Sequence, residues 1–120
     1  MVQQEAVLDR LFHALADPTR RKMLAHLANA PRNIGELAAP HAMSFTAASK
    51  HVRVLEHAGL VKRRIEGRAH VLKLEPKAMK TAERWISERR AIWERQFDQL
   101  DEYLAATDPE KGQPPKGKNK

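Results

Sequence analysis

The stretch SFTAASKHVRVLEHAGLVKRRIEGRAHVLKL, residues 44–74, decides the fold. In its first half Ser44 can cap a helix over residues 45–58, on which Ala48, Val52 and Leu55 fall on one face, and Gly59 supplies a left-handed stop. In its second half, residues 60–65 and 68–74 are rich in β-branched and long side chains, and Glu66-Gly67 fits the two-residue turn of a hairpin. An amphipathic helix feeding a basic hairpin predicts a reading helix followed by a wing.

Upstream, Asn33 followed three residues later by Glu36 forms a capping box for a short helix over residues 34–39, which Pro40 closes. Two short helices joined by a tight turn, the second amphipathic, make the outline of a helix-turn-helix. Asp17 as N-cap and Pro18 at the first helical position predict a helix over residues 18–29 with Met23, Leu24 and Leu27 inward. Leu8, Leu11, Phe12 and Leu15 draw one apolar face on a first helix over residues 5–16.

Downstream of Pro76, Met79, Ala82, Ile86, Trp93, Phe97, Leu100 and Leu104 advance by three, four or seven residues and predict one long helix. The predicted fold is mainly α: a winged helix-turn-helix with a two-stranded β wing and a long C-terminal dimerisation helix, occupying residues 1–106. Residues 107–120, ending in DPEKGQPPKGKNK, hold no large apolar side chain to repay their ordering entropy and predict a disordered basic tail. Its Lys111, Lys116, Lys118 and Lys120 read as a solubilising end.

A length of 120 residues suits one domain. With 42% hydrophobic and 31% charged residues and no basic-flanked apolar leader, the expectation is a soluble cytoplasmic protein with no membrane partner. The absence of cysteine removes disulfides, thiolate metal sites, iron-sulfur clusters and thiol switching. A formal charge of +7 and a pI near 10.1 favour an acidic partner, nucleic acid before anionic membrane. The basic residues also gather: Lys50, Arg53, Lys62, Arg63, Arg64, Arg68 and Lys73 lie within residues 44–74, opposed only by Glu56 and Glu66.

The major groove of B-DNA admits one α-helix, and such a helix needs short or donor-rich side chains where it meets base edges. With Ala48, Val52 and Leu55 buried, a rotation of about 100° per residue places Thr46, Ser49, Lys50 and Arg53 on or near the opposite face. Lys50 and Arg53 suit guanine or phosphate, Ser44, Thr46 and Ser49 suit phosphate or base oxygens, and Ala47 leaves room for close approach. His51 borders the buried face, where packing or a phosphate contact suits it. In the wing, alternation along a strand prevents Arg63 and Arg64 from both facing DNA; Arg64 and, above all, Arg68 at the tip are the expected contacts. A plain solvated face explains any one such helix in isolation; the preceding turn and following wing argue otherwise.

No catalytic constellation is present: Ser49 and His51, two apart on a helix, point in nearly opposite directions. No Gly-rich phosphate loop and no other cofactor motif occurs, so no cofactor is expected. The last helix carries more apolar surface than one small core requires, which predicts a two-fold homodimer using Leu8, Leu11, Phe12, Trp85, Ile86, Trp93, Phe97 and Leu100.

LFHALADPTRRKMLAHL (residues 11–27) together with residues 44–74 resembles the ArsR/SmtB family of winged-helix repressors, over roughly residues 6–104 in order. The combination is specific: ALADPTRR entering the second helix, then S-K-H-V-x-V-L, A-G-L-V and a basic E-G-R wing. The resemblance implies a homodimer built on the first and last helices, two reading helices on an inverted-repeat operator in double-stranded DNA, and repression relieved by an inducer. The chain departs from the metal-sensing members. Where thiolate-type sensors carry cysteines in the third helix it reads NIGELAAP, and residues 76–107, where zinc-type sensors place histidines and carboxylates, hold no histidine. The six histidines, His13, His26, His41, His51, His57 and His70, form no i,i+4 pair, and metal sensing at the usual sites is not expected. The alternatives are a protein-interaction module, or a regulator answering to an organic ligand or partner protein on the same scaffold.

Overall fold

The computed structural model describes residues 2–107, with side chains from Glu5 onward. In chain order these residues form α1 (Val2–Leu15), α2 (Pro18–Asn29), β1 (Arg32–Asn33), α3 (Ile34–Ala38), a 3-10 turn (Ala39–His41), α4 (Phe45–His57), β2 (Val61–Glu66), β3 (Ala69–Leu74) and α5 (Pro76–Thr107). Among the described residues no helix is long and apolar enough to cross a membrane. The expected disordered tail lies outside the described residues, except Thr107, which is the last residue of α5.

The caps set where the helices begin. The Asp17 carboxylate accepts from the Arg20 backbone N–H at 3.0 Å and Pro18 follows as the first helical residue, so one orphan donor is satisfied and the missing proline N–H costs nothing. Asn33 Oδ1 accepts from Glu36 N–H at 2.8 Å while Glu36 Oε1 accepts from Asn33 N–H at 2.9 Å, a reciprocal capping box. Ser44 Oγ accepts from Ala47 N–H at 3.1 Å and starts α4. That helix stops at Gly59, φ +75°, with Leu60 N–H donating to Leu55 O and Gly59 N–H to Glu56 O, the paired bonds of a Schellman motif.

The chain divides into two compact units, Met1–Glu83 and Arg84–Lys120. In the first, Leu11, Met23, Leu37, Val52, Leu55, Leu60 and Leu72 are almost completely buried. These side chains come from α1, α2, α3, α4, the residue before β2, and β3, so α4 is held by the centre of the core. The second unit, as far as it is described, is the remainder of α5; Ile86, Trp93, Phe97, Leu100 and Leu104 are all about half exposed or more.

Four details depart from the sequence reading. The sheet has three strands in the order β1-β3-β2, because Arg32 and Asn33 pair antiparallel with Leu72 and Val71. The wing turn is Gly67-Arg68, closed by the Glu66–Ala69 pair; Gly67 at φ +62° takes the first central position, as a type II′ turn requires. On α1 the buried residues are Leu8, Leu11 and Ala14, and Phe12 is 37% exposed. Leu8 and Leu11, expected at a dimer interface, are consumed by their own chain; with Leu11 0% exposed it has no surface left to give a partner.

Candidate nucleic-acid interface

Ala48, Val52 and Leu55 are each at most 1% exposed, so α4 cannot rotate about its axis without opening the core. Thr46, Lys50 and Arg53 are consequently exposed, and Ala47 and Ser49 are half-buried beside them. The result is a fixed helix face of two cations, two hydroxyls and a small residue. Short side chains let the backbone approach a groove floor, while Lys50 and Arg53 reach outward to acceptors.

Two other groups expected at this face have local work. Ser44 is exposed, but its oxygen is committed to the Ala47 N–H as the helix cap. His51 turns away from the exposed face: its Nδ1 lies 3.4 Å from Arg20 Nη1 and 4.0 Å from Asp17 Oδ2. Of the packing or phosphate contact expected of His51, the packing is present as a contact with the start of α2, because its position on α4 borders the buried stripe.

Arg20, absent from the expected site, organises this region. Its Nε donates to Ala14 O at 2.8 Å and its Nη2 to His13 O at 2.9 Å, so the guanidinium closes the C-terminal carbonyls of α1 while touching α4 through His51. Arg21 Nη1 donates to Leu15 O at 2.6 Å. Asp17 completes the cluster, and its carboxyl is held below the usual range first by the Arg20 backbone N–H, then by the Arg20 and His51 charges, against partial burial. The ADPTRR sequence is thus a junction of three helices. A local reading registers its cap and proline, but the arginines' targets lie six and seven residues back and on another helix.

The β2–β3 hairpin is tied to α4 by a two-pronged ion pair. Arg63 Nε and Nη2 donate to Glu56 Oε2 and Oε1 at 2.9 and 2.8 Å, and Arg63 Nη1 lies 2.9 Å from His70 Nδ1. Fork-to-carboxylate geometry fixes orientation as well as distance, so Arg63 positions β2 against the end of α4. Arg64, next along the strand, is exposed and pairs with Glu66 at 2.6 Å, while Arg68 is exposed at the wing tip.

Among the described residues no three His, Cys, Asp or Glu side chains gather in a form that could hold a metal ion. In α3 the only such residue, Glu36, is engaged in the capping box. Asp9 and His13 line an open groove between α1 and α4, but Arg10, Lys50 and Arg53 line it too, a positive setting that opposes a cation. The residues present do not fit the metal sites of a metal sensor.

Of the expected interface residues on α5, Ile86, Trp93, Phe97 and Leu100 are exposed, and Trp85 is half-buried with the Arg89 guanidinium 5.4 Å from its ring centre. Trp93, Phe97, Leu100 and Leu104 follow at intervals of four, three and four, the spacing of a helix-pairing seam.

Comparison with known proteins agrees with this geometry. A helix-turn-helix domain family matches residues 15–64. The HTH-type transcriptional regulator Rv2034 of Mycobacterium tuberculosis is 44% identical over 68 residues, 57% of this chain; the match spans 64% of that relative's length. The crystal structure of an ArsR family transcriptional regulator superposes with a TM-score of 0.71 at 34% identity, covering 75% of this chain and 93% of that one. The solution structure of a homodimeric winged helix-turn-helix DNA-binding domain from Mycobacterium bovis superposes with a TM-score of 0.61 at 24% identity, covering 73% and 83%, and shows the shared fold. Rv2034 and the ArsR family structure are both transcriptional regulators. The chain belongs to the ArsR family of winged helix-turn-helix transcriptional regulators.

Proposed function

We propose that this protein is a homodimeric, sequence-specific repressor acting in the cytoplasm, binding an inverted-repeat operator in double-stranded DNA. The observation that carries the reading is the α4 face: Thr46, Ser49, Lys50 and Arg53 stand opposite a face that is at most 1% exposed. Lys50 and Arg53 recognise bases or phosphates, Thr46 and Ser49 complete the contact, and Arg68 grips the flanking backbone or minor groove. Arg64 contributes charge once it leaves Glu66. Phosphate neutralisation supplies much of the affinity, and occlusion of a promoter is the means of repression.

The second copy is supported by the exposed α5 seam and by Phe12 on α1, which is 37% exposed. Bare apolar stripes of this extent mark association sites, and a two-fold pair also matches an inverted repeat. DNA binding does not depend on metal in this reading, since the chain has no cysteine and no cluster that could hold a metal gathers among the described residues.

Selection of sites from random duplex DNA by the purified protein, with a chelator present, tests the proposal. Enrichment of an inverted repeat is the expected result. A folded dimer that enriches no motif would overturn it in favour of a protein-interaction module or a ligand- or partner-dependent regulator.

A further inference from the structure

Phe45 is the first residue of α4, immediately after the Ser44 cap, and it is 63% exposed. Most large apolar side chains exposed among the described residues lie on α5, whose seam is assigned above to a second copy; Phe45 lies on α4. It has no role in the cap, which uses the Ser44 side chain and the Ala47 backbone. Phe45, Ser49 and Arg53 follow at intervals of four, so Phe45 begins the stripe that ends in the Arg53 cation. It also shares a hollow of about 310 Å³ with Asn33, Gly35 and the wing residues Arg68 and His70. The ring therefore stands where the reading helix and the wing converge.

The N-terminal residues of a recognition helix are those that meet base edges. A phenyl ring offers no donor or acceptor, and the only apolar feature on the major-groove edge is the thymine 5-methyl group. We infer that Phe45 is a specificity-determining residue that reads a thymine methyl in each half-site. This rests on the DNA-binding reading proposed above and adds to it the identity of one base. The polar residues of α4 choose hydrogen-bonding edges; Phe45 separates thymine from cytosine, and from uracil, which pairs identically and lacks only the methyl.

The test uses the full-length protein and its selected duplex, with each thymine replaced singly by uracil. One thymine in each half-site should weaken binding about fourfold on replacement, the effect of losing one buried methyl-sized group. Phe45→Ala should bind the thymine and uracil duplexes equally, while Phe45→Leu retains part of the difference. Because Phe45 is largely exposed, both variants should keep the wild-type circular dichroism and mass in solution. A selected motif in which no thymine distinguishes methyl from hydrogen would overturn the inference and leave DNA binding standing. The same holds for a Phe45→Ala protein that still discriminates. Failure to select any motif would overturn both.

Discussion

Replacing Arg20 by methionine keeps the aliphatic stem but deletes the guanidinium that joins α1, α2 and α4. Two bonds to carbonyls are lost, to Ala14 O at 2.8 Å in a partly buried setting and to His13 O at 2.9 Å in an exposed one, together with the longer 3.4 Å contact to His51, which adds little. A bond from a charged donor contributes about 1.5 kcal/mol at the low end for the first, and solvent competition reduces the second to about 0.5 kcal/mol. The positive charge at the C-terminus of α1 adds about 0.5 kcal/mol through the helix dipole. The expected loss is therefore about 2.5 kcal/mol, read as the shift in urea midpoint at a fixed protein concentration, since a dimer's apparent stability depends on concentration. Arg20→Lys should recover less than half, because an ammonium cannot span both carbonyls in the same fork. Arg21→Met, which removes a single exposed bond to Leu15 O, should cost less than about 1 kcal/mol. A loss below about 0.5 kcal/mol for Arg20→Met would refute the reasoning that this residue anchors the three-helix junction.

Trp93→Asp would place a carboxylate on the α5 seam and should raise the dimer dissociation constant at least tenfold by sedimentation; a variant that remains dimeric at nanomolar concentration would remove Trp93 from the interface. The depressed pKa of Asp17 contributes stability that is complete above the carboxyl's unfolded pKa and is lost as pH falls through its lower folded value. Asp17→Asn, which still caps, should therefore lose less stability than wild type between about pH 5 and about pH 3, and equal losses would contradict the charge account. Arg68→Ala should weaken all operator variants by a similar factor and reduce the salt dependence by about one phosphate contact, whereas a loss confined to one base position would assign Arg68 to base reading.

Much of the fold was legible because its boundaries are written in local chemistry. Asp17-Pro18, the Asn33 and Glu36 pair, Ser44 and Gly59 each act within a few residues of themselves, and the helices they bound begin and end there. What escaped depends on distant partners or on atypical residues. β1 is two residues long and exists only because β3 lies beside it. The turn before α4 passes through Ala42 at φ 51°, a left-handed position with no glycine to announce it. Periodicity placed Leu8, Leu11 and Phe12 on one apolar face, but could not tell which would be used by the chain itself.

The candidate site divides in the same way. Helical rotation placed Thr46, Ser49, Lys50 and Arg53 together because it needs only the buried stripe of the same helix as reference. For His51 the sequence indicates packing at the edge of the buried stripe but not its partners, because Arg20 and Asp17 are some thirty residues earlier. Strand alternation correctly separated Arg63 from Arg64, but the Glu56 carboxylate that captures Arg63 belongs to the neighbouring helix. Phe45 was legible as an aromatic residue directly after a cap, and was passed over because the polar residues beside it fit the expected chemistry of a groove.

Protection of guanine N7 from methylation on the selected duplex tests the central claim most directly, because N7 lies in the major groove and reports what α4 touches. Two protected patches on one face of the DNA, about 10 bp apart and bound by two chains, are expected, as a dimer with two reading helices requires. Lys50→Glu and Arg53→Glu should abolish both patches while leaving circular dichroism and dimer mass unchanged, since both side chains are exposed. Wild-type binding without major-groove protection, or patches that survive both charge reversals, would contradict the assignment of α4 as the reading helix.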